Sequence, residues 1–282
     1  MINRNRGTFR AGLPGINVDI DYNNDEARAF LDFLLGDMPG GDAPLSGRKF
    51  DLLIVGRPAR MSLWIDDKQL YFGESRYSLA YILVNELVYE CIVNNHQLHA
   101  LHAAALAYQD RGILLVGKSG SGKSSLAAWL TAKGGTYLSD ELVLVSEEHL
   151  LHPFVRPLSL TSATFESLAR HIAIDPADCL VDSRGAMLPH RALNLRWSRA
   201  TPSLAAIIHP EFIEGHPAEL TGLSSARSCL KLLECHVNAR SIPDHGFGRL
   251  AEITRQVDSY QLRFGGFDGL MELLQPVLTG TR

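Results

Sequence analysis

The sequence predicts an α/β fold with a small β-rich module in front of it. Three observations support this prediction. Apolar runs of strand length and helix length alternate along most of the 282 residues. A glycine-rich loop near residue 117 joins a short apolar strand to a helix, and the first 75 residues contain mainly short strand-like runs. We therefore predict two units, residues 1–75 and residues 76–282.

The predicted N-terminal module contains one helix and three short strands. The helix covers residues 25–35, and a loop rich in glycine, proline and aspartate follows at residues 36–47. The predicted strands are residues 51–55, 61–65 and 69–72. Asp66 and Asp67 lie between the last two strands and predict a hairpin turn.

The second unit opens with a predicted helix at residues 78–94, where apolar residues recur at helical spacing and Ser78 can cap the first turn. A predicted strand at 137–146 carries Asp140 and Glu141. The other predicted strands are 103–108, 112–116, 204–209 and 260–264, and the other predicted helices are 124–133, 164–172, 225–236, 250–257 and 267–274. This mixture of elements is typical of an α/β domain of about 200 residues.

Composition narrows the class of protein. The formal net charge is −4, and lysines and arginines are scattered, so nucleic acid is not the expected partner. None of the four cysteines forms a CxxC pair, which predicts reduced thiols in a cytoplasmic protein. Residues 1–15 are polar and predict no secretory signal, and the most apolar long stretch, 78–93, is too short and too charged to span a membrane.

A phosphate-binding loop is the clearest motif in the chain. Residues 117–124 match G-x-x-x-x-G-K-[ST], with an apolar strand before them and a helix after them, which is the context this motif needs. Lys123 is expected to reach the β- and γ-phosphates, and the Ser124 hydroxyl to bind Mg²⁺. The residues predicted to bind the nucleotide are Gly117, Lys118, Ser119, Gly120, Ser121, Gly122, Lys123, Ser124 and Ser125. ATP is expected, and GTP stays open because the contacts to the base come from loops without a motif.

Two further features flank the loop. Asp140 and Glu141 follow Lys123 by about one helix and a return strand, and a P-loop enzyme needs a second carboxylate to hold Mg²⁺. Adjacent residues on a straight strand point to opposite faces, so Asp140 is the favoured metal ligand together with Ser124. His102 precedes the loop, and a hairpin of the two strands at 103–108 and 112–116 would return it to the loop.

Together, these residues resemble the core of the bacterial HPr kinase/phosphorylase family, which has a histidine, a strand pair, the loop G-x-S-G-x-G-K-S and a double acid. The similarity is closer to the HPr-kinase-related proteins found beside peptide-modification genes, including the kinases of lasso-peptide precursors. Those proteins share the LSDEL run at residues 138–142 and the Arg-Pro-x-x-Leu segment that begins at Arg156. Residues 182–185 resemble the acid-x-Arg-Gly loop of HPr kinases, with Asp182 in place of glutamate.

The resemblance covers residues 98–191 and implies both a fold and an activity. The implied fold is a P-loop kinase domain with a mixed central sheet, as in HPr kinase and phosphoenolpyruvate carboxykinase. The implied activity is transfer of the γ-phosphate of ATP, with Mg²⁺, to a serine of a protein or peptide substrate. Since HPr kinases are hexamers, a homo-oligomer is a further expectation.

The resemblance also assigns catalytic roles. Asp140 would bind Mg²⁺ or orient the acceptor, and Glu141 stands where the family has its proposed general base. Because glutamate is longer than aspartate, the base can be either of the two. His102 would position the acceptor or the phosphate. Arg184 would stabilise the transferred phosphoryl group, and Arg156 is a second candidate for that task.

Two other functions stay open at this level. One is a kinase of a small hydroxylated metabolite, which an enclosed pocket with fixed polar groups would favour. The other is a nucleotide-dependent switch or scaffold that transfers nothing. The motif that binds the phosphates is common to all three functions, so the loop alone does not separate them.

Overall fold

The computed structural model describes residues 6–196 and 200–281. Its strands are β1 (Gly7–Leu13), β2 (Ile16–Tyr22), β3 (Phe50–Val55), β4 (Arg60–Ile65), β5 (Lys68–Gly73), β6 (His99–Leu101), β7 (Ala103–Tyr108), β8 (Arg111–Val116), β9 (Thr136–Ser139), β10 (Val143–Val145), β11 (Leu151–His152), β12 (Leu158–Thr161), β13 (Leu180–Asp182), β14 (Gly185–Leu188), β15 (Leu204–Phe212), β16 (Glu219–Gly222) and β17 (Asp258–Phe264). Its α-helices are α1 (Asp25–Leu35), α2 (Arg76–Asn94), α3 (Lys123–Ala132), α4 (Ser162–Ala169), α5 (Ser225–Glu234), α6 (Phe247–Gln256) and α7 (Leu270–Thr279). The mixed α/β class predicted from the sequence is confirmed.

The N-terminal sheet has the strand order β1-β2-β3-β4-β5. Strands β2 and β3 are parallel, and α1 makes the crossover between them, with Asn24 capping its first turn. The prediction of α1 is confirmed, and β3, β4 and β5 lie within one residue of their predicted bounds. Strands β1 and β2 were not predicted, although their buried residues alternate as in a half-buried hairpin.

The central sheet is mixed, with the strand order β16-β17-β15-β8-β7-β9. Strands β8, β15 and β17 are parallel to one another, and the other neighbours are antiparallel. The predicted hairpin of β7 and β8 is confirmed, with Ala103 opposite Val116. Since β8 leads directly into the glycine-rich loop, this hairpin brings the start of β7 to the loop.

Two predicted elements differ from the structure. The strand predicted at 137–146 is wrong, because the chain leaves the central sheet after β9 and enters a separate small sheet, β11-β10-β6, at β10. Asp140 and Glu141 lie in the bend between them, where Glu141 adopts φ 73°, which is incompatible with a continuous strand. Helix α2 begins earlier than predicted, since Ser75 rather than Ser78 caps it and accepts the Ser78 N–H at 3.1 Å.

The remaining helices match the predictions in order but shift at their ends. The largest shift is in α7, which starts three residues later than predicted, after Gly269 in a left-handed conformation with φ 68°, and ends five residues later, at Thr279. A third small sheet, β12-β14-β13, was not predicted. In the sequence, its three strands come after the acid bend and before β15.

Buried apolar side chains form two clusters. One joins the N-terminal sheet and α1 to α2, α3, α7 and one face of the central sheet. The other packs α5 and α6 on the opposite face of that sheet. The N-terminal module therefore shares a core with the rest of the chain, and the boundary near residue 75 stays a prediction. Among the described residues, no helix is both long enough and apolar enough to cross a membrane.

Candidate active site

The glycine-rich loop has the backbone conformation that a phosphate cradle needs. Gly120 and Gly122 both have positive φ, 80° and 93°. A Cβ at Gly122 would lie 2.9 Å from a ring carbon of Phe264, so a larger residue fits neither the backbone nor the space. Helix α3 starts at Lys123 without a side-chain cap, which leaves the N–H groups of its first turn to face an anion.

Lys123 is buried and folds back over the loop. Its Nζ donates hydrogen bonds to the carbonyl oxygens of Gly117 at 2.6 Å and Lys118 at 3.1 Å. Burial lowers the pKa of this ammonium group. Lys118, in contrast, extends into solvent and pairs with Glu234 at 3.5 Å. The two lysines therefore differ, and only Lys123 lines the cavity described below.

Asp140 lies against the first turn of α3. The Ser124 hydroxyl donates a hydrogen bond to Asp140 Oδ1 at 3.1 Å. The carboxyl group is 1% exposed, and its Oδ2 has no hydrogen-bond partner. Burial raises the pKa of Asp140, against the lowering effect of the Arg156 guanidinium. A buried oxygen without a partner beside a serine hydroxyl fits a hard cation such as Mg²⁺, which prefers oxygen ligands.

Glu141 and Arg156 form the second half of the acid bend. Arg156 is 3% exposed, its Nε donates to the Asp140 carbonyl oxygen at 2.9 Å, and its Nη2 lies 3.7 Å from Glu141 Oε2. Glu141 lines the cavity with a side chain that is 39% exposed. Arg156 is not among the residues that line the cavity. The structure therefore places Arg156 behind the acid pair, where it supports the bend.

These groups surround a cavity of about 600 Å³. On the side of the glycine-rich loop, it is lined by Ser119, Gly120, Gly122, Lys123, Ser124 and Ser125. The opposite wall comes from α2, β12 and α4 and includes Tyr77, Tyr81, Ser159, Thr161, Thr164 and Ser167. Three aromatic side chains, Phe212, Phe264 and Phe267, complete the lining near the loop. The volume is in the range of sites that hold a nucleotide-sized ligand.

His102 also lines this cavity, as its position before β7 predicts. Its backbone N–H donates to the Cys235 carbonyl oxygen at 2.8 Å, which fixes the start of β7 against the end of α5. The Cys235 thiol in turn lies 3.9 Å from the Gly117 carbonyl oxygen. The end of α5 therefore contacts both the histidine and the first residue of the loop.

Arg184 is not one of the cavity-lining residues. Its Nη2 donates to Asp182 Oδ2 and to Ser75 Oγ, each at 2.9 Å, and to the Ser78 hydroxyl. The structure thus brings together His102, the loop and the acid pair, whereas Arg184 lies beside the N-terminal turn of α2. Its predicted role at the phosphoryl group stays a prediction.

Sequence reasoning missed the wall opposite the loop. Tyr77 and Tyr81 are four residues apart, which places them on one face of α2, but nothing in the sequence says which face meets the loop. Phe212 and Phe264 lie at the ends of neighbouring parallel strands. Their only local signal is an aromatic residue at the end of an apolar strand, and this pattern is common in cores.

Comparisons with known proteins give distant structural likenesses but no match in sequence. No family model matches the chain, and no curated protein matches its sequence. The chain is similar to the structure of the HPr(Ser) kinase/phosphatase from Coxiella burnetii, with 13% identity over 64% of this chain and 94% of that chain, and a TM-score of 0.33. At this TM-score the case for a function depends on the residues of the cavity.

Proposed function

We propose that this protein is a phosphotransferase that binds ATP with Mg²⁺ on residues 117–124 and transfers the γ-phosphate to a hydroxyl group, a serine of a protein or peptide. The observation that carries the proposal is the Asp140 carboxylate. It is buried beside Ser124 at the start of α3, and one of its oxygens has no partner. A buried charge without a full set of partners is costly, so a cation is the ligand that would stabilise it.

The loop supports the nucleotide part of the proposal. Positive φ at Gly120 and Gly122 turns successive N–H groups inward, and the uncapped start of α3 adds its positive dipole end. Lys123 can move its ammonium group from the two loop carbonyls to phosphate oxygens without leaving the loop. When bound, Mg²⁺ would neutralise charge on the phosphates, with Ser124 and Asp140 as its protein ligands.

The acid pair supports transfer rather than binding alone. Asp140 as a metal ligand would have its lone pairs engaged, whereas Glu141 is partly exposed in the cavity and has only a long contact of 3.7 Å with Arg156, so Glu141 is the acid placed to accept a proton from the acceptor. In the proposed reaction, the acceptor oxygen forms a bond to the γ-phosphorus and the bond from that phosphorus to the leaving ADP breaks. The hydroxyl proton passes to Glu141. His102 lines the same cavity and would orient the acceptor or the phosphate.

A label-transfer experiment tests this function. The protein is incubated with Mg²⁺, ATP labelled at the γ-phosphate, and candidate peptides encoded near its gene, and Lys123→Ala serves as the inactive control. We expect label on a serine with the wild-type protein and background label with the control. Label on a small metabolite alone would favour a metabolite kinase. Nucleotide binding without any labelled product would favour a switch or scaffold.

A further inference from the structure

We infer that Tyr77 is a specificity-determining residue on the acceptor side of the cavity, that Asp182 and Arg184 are positioning residues that hold it there, and that this wall selects uncharged residues beside the acceptor serine. The inference rests on the proposed function, because it concerns the acceptor side of the same cavity. In this inference, Asp182 and Arg184 position Tyr77 and need no contact with the phosphoryl group.

The contacts of Arg184 form a closed cluster at the start of α2. Its guanidinium donates to Ser75 and Asp182, and Asp182 Oδ2 also accepts the Ser75 hydroxyl at 2.8 Å. The Arg184 backbone N–H donates to Asp182 Oδ1 at 2.8 Å. Ser75 is the N-cap of α2, so this cluster links the turn between β13 and β14 to the first turn of the helix.

The same cluster holds the ring of Tyr77. The guanidinium carbon of Arg184 lies over that ring, 5.7 Å from its centre. The Tyr77 hydroxyl lies 3.4 Å from Ser159 Oγ on β12. A Cβ at Gly185 would lie 2.2 Å from the Leu160 carbonyl oxygen and 3.1 Å from the Tyr77 hydroxyl, so a side chain there would clash with the backbone of β12 and crowd the Tyr77 hydroxyl. Arg184 therefore contacts the Tyr77 ring directly, Asp182 holds Arg184 in that place, and Gly185 leaves room for the Tyr77 hydroxyl.

The Arg184 guanidinium already has hydrogen-bond and ion-pair partners in the structure. Its charge is paired with Asp182, and Asp182 has a lowered pKa because hydrogen bonds to its carboxylate outweigh the effect of burial. To reach a phosphoryl group, the guanidinium would have to leave three acceptors and the Tyr77 ring. The observed contacts instead fit a residue that acts on the cavity through Tyr77.

The chemistry of this wall indicates what it binds. The residues of α2, β12 and α4 that line the cavity carry hydroxyl, aromatic or aliphatic side chains and no formal charge. The carboxylates of the cavity, Asp140 and Glu141, lie on the side of the loop. An acidic group beside the acceptor serine would face these carboxylates with no cation lining its own wall, because Arg184 lies outside the lining and is paired with Asp182, and that arrangement is unfavourable. Tyr81, one turn after Tyr77, is 48% exposed, so the wall continues outward as an aromatic surface suited to a peptide chain.

The test measures acceptor binding without requiring transfer. An array of peptides, each with one central serine and neutral, acidic or basic neighbours, is probed with the protein in Mg²⁺ and a non-hydrolysable ATP analogue. The variants are Tyr77→Ala, Tyr77→Phe and Arg184→Ala, and Arg170→Ala, an exposed arginine at the end of α4, is the matched control. Thermal unfolding shows that each variant is folded, and titration with a fluorescent ATP analogue gives the nucleotide affinity.

We expect the wild type and Arg170→Ala to retain the neutral peptides. Tyr77→Ala and Arg184→Ala should lose retention about tenfold or more, as for an aromatic residue at the centre of an interface, with nucleotide affinity unchanged within about twofold. Tyr77→Phe keeps the ring and should restore most of the retention. This rescue is a result that a general loss of structure would not produce.

Three outcomes would overturn the inference. The first is unchanged retention by Tyr77→Ala. The second is a preference of the wild type for acidic or basic peptides over neutral ones, or no retention of any peptide. The third is an Arg184→Ala variant that retains peptides normally but transfers label slowly, because this would place Arg184 at the phosphoryl group. A wild type that binds no nucleotide, or that retains peptides but never labels them, would instead contradict the proposed function.

Discussion

Asn238 connects the end of α5 to the segment that leads into the cavity, and its replacement by alanine is a sharp test of the fold around the site. The side chain is 2% exposed. Its Oδ1 accepts the Ala100 N–H at 2.9 Å, and its Nδ2 donates to the carbonyl oxygens of Asn95 at 3.1 Å and Leu98 at 2.9 Å. These three bonds shape the turn between α2 and β6, just before His102.

The expected loss follows from the groups that Asn238→Ala leaves behind. One backbone N–H and two backbone carbonyls would lose their partners in a site with little access to water. A hydrogen bond contributes about 1 kcal/mol net, and a buried polar group left without a partner costs about 1–3 kcal/mol. Allowing for water reaching one carbonyl, we expect the free energy of unfolding to fall by about 3–5 kcal/mol. This is a large part of the roughly 5–15 kcal/mol that stabilises a typical domain.

Urea unfolding of the wild type, Asn238→Ala and Asn94→Ala measures this effect. Asn94 is an exposed asparagine in the same region, and its side chain makes one hydrogen bond, to the Glu90 carbonyl oxygen at 2.9 Å. Its loss should cost about 0.5 kcal/mol or less, as for most surface substitutions. A loss below about 1 kcal/mol in Asn238→Ala would refute the reasoning, because it would mean that the three bonds are replaced without cost.

Four further predictions concern the loop, the two acids and pH. Gly122→Ala should lower the free energy of unfolding by about 1–3 kcal/mol more than Gly120→Ala in urea titrations, since both have positive φ but only Gly122 lacks space for a Cβ. Asp140→Asn should abolish the effect of Mg²⁺ on nucleotide affinity in calorimetry, and equal enhancement in both proteins would exclude Asp140 as a ligand. Glu141→Gln should keep nucleotide affinity and slow label transfer by about 10²–10⁴-fold, as for a lost general base. Burial lowers the pKa of His99 to about 4 in the folded protein. In the unfolded chain the pKa of this histidine is near 6.5, so the unfolded state binds the proton at a higher pH than the folded state does. Stability should therefore fall as pH drops from about 6.5 towards 4, by up to about 1.4 kcal/mol per pH unit from this group, and His99→Gln should reduce the slope of that part of the curve, while other buried histidines such as His209 keep part of it.

The parts of the site that sequence could predict are those fixed by local structure. The phosphate-binding loop can be predicted from its own glycines, from the strand β8 before it and from the helix α3 after it. The position of His102 follows from the hairpin of β7 and β8, because a short turn fixes which residue returns to the start of the loop. A mixed central sheet was expected from the resemblance, and the observed sheet has both parallel and antiparallel neighbours, but its strand order was not predicted.

The parts that sequence could not predict depend on distant contacts. The wall formed by Tyr77 and Ser159 requires α2 and β12 to meet, although these residues lie far apart in the chain. The position of Arg184 depends on Ser75 and Ser78, which are also remote in sequence. Sequence patterns give the type of each element and the face it buries, but they do not give the partner of that face.

The bend at Asp140 and Glu141 explains how an adjacent pair of acids can serve one cavity. On a straight strand their side chains would point to opposite faces, but the positive φ of Glu141 turns the chain out of the central sheet and into β10. Strand β10 then pairs with β6, with Val143 opposite Leu101. The residues just outside this pair therefore lie at the same end of the small sheet, His102 after β6 and the acid bend before β10. The position of the histidine is thus coupled to that of the acids by backbone pairing, so a substitution that disturbs β6 or β10 should affect both groups together.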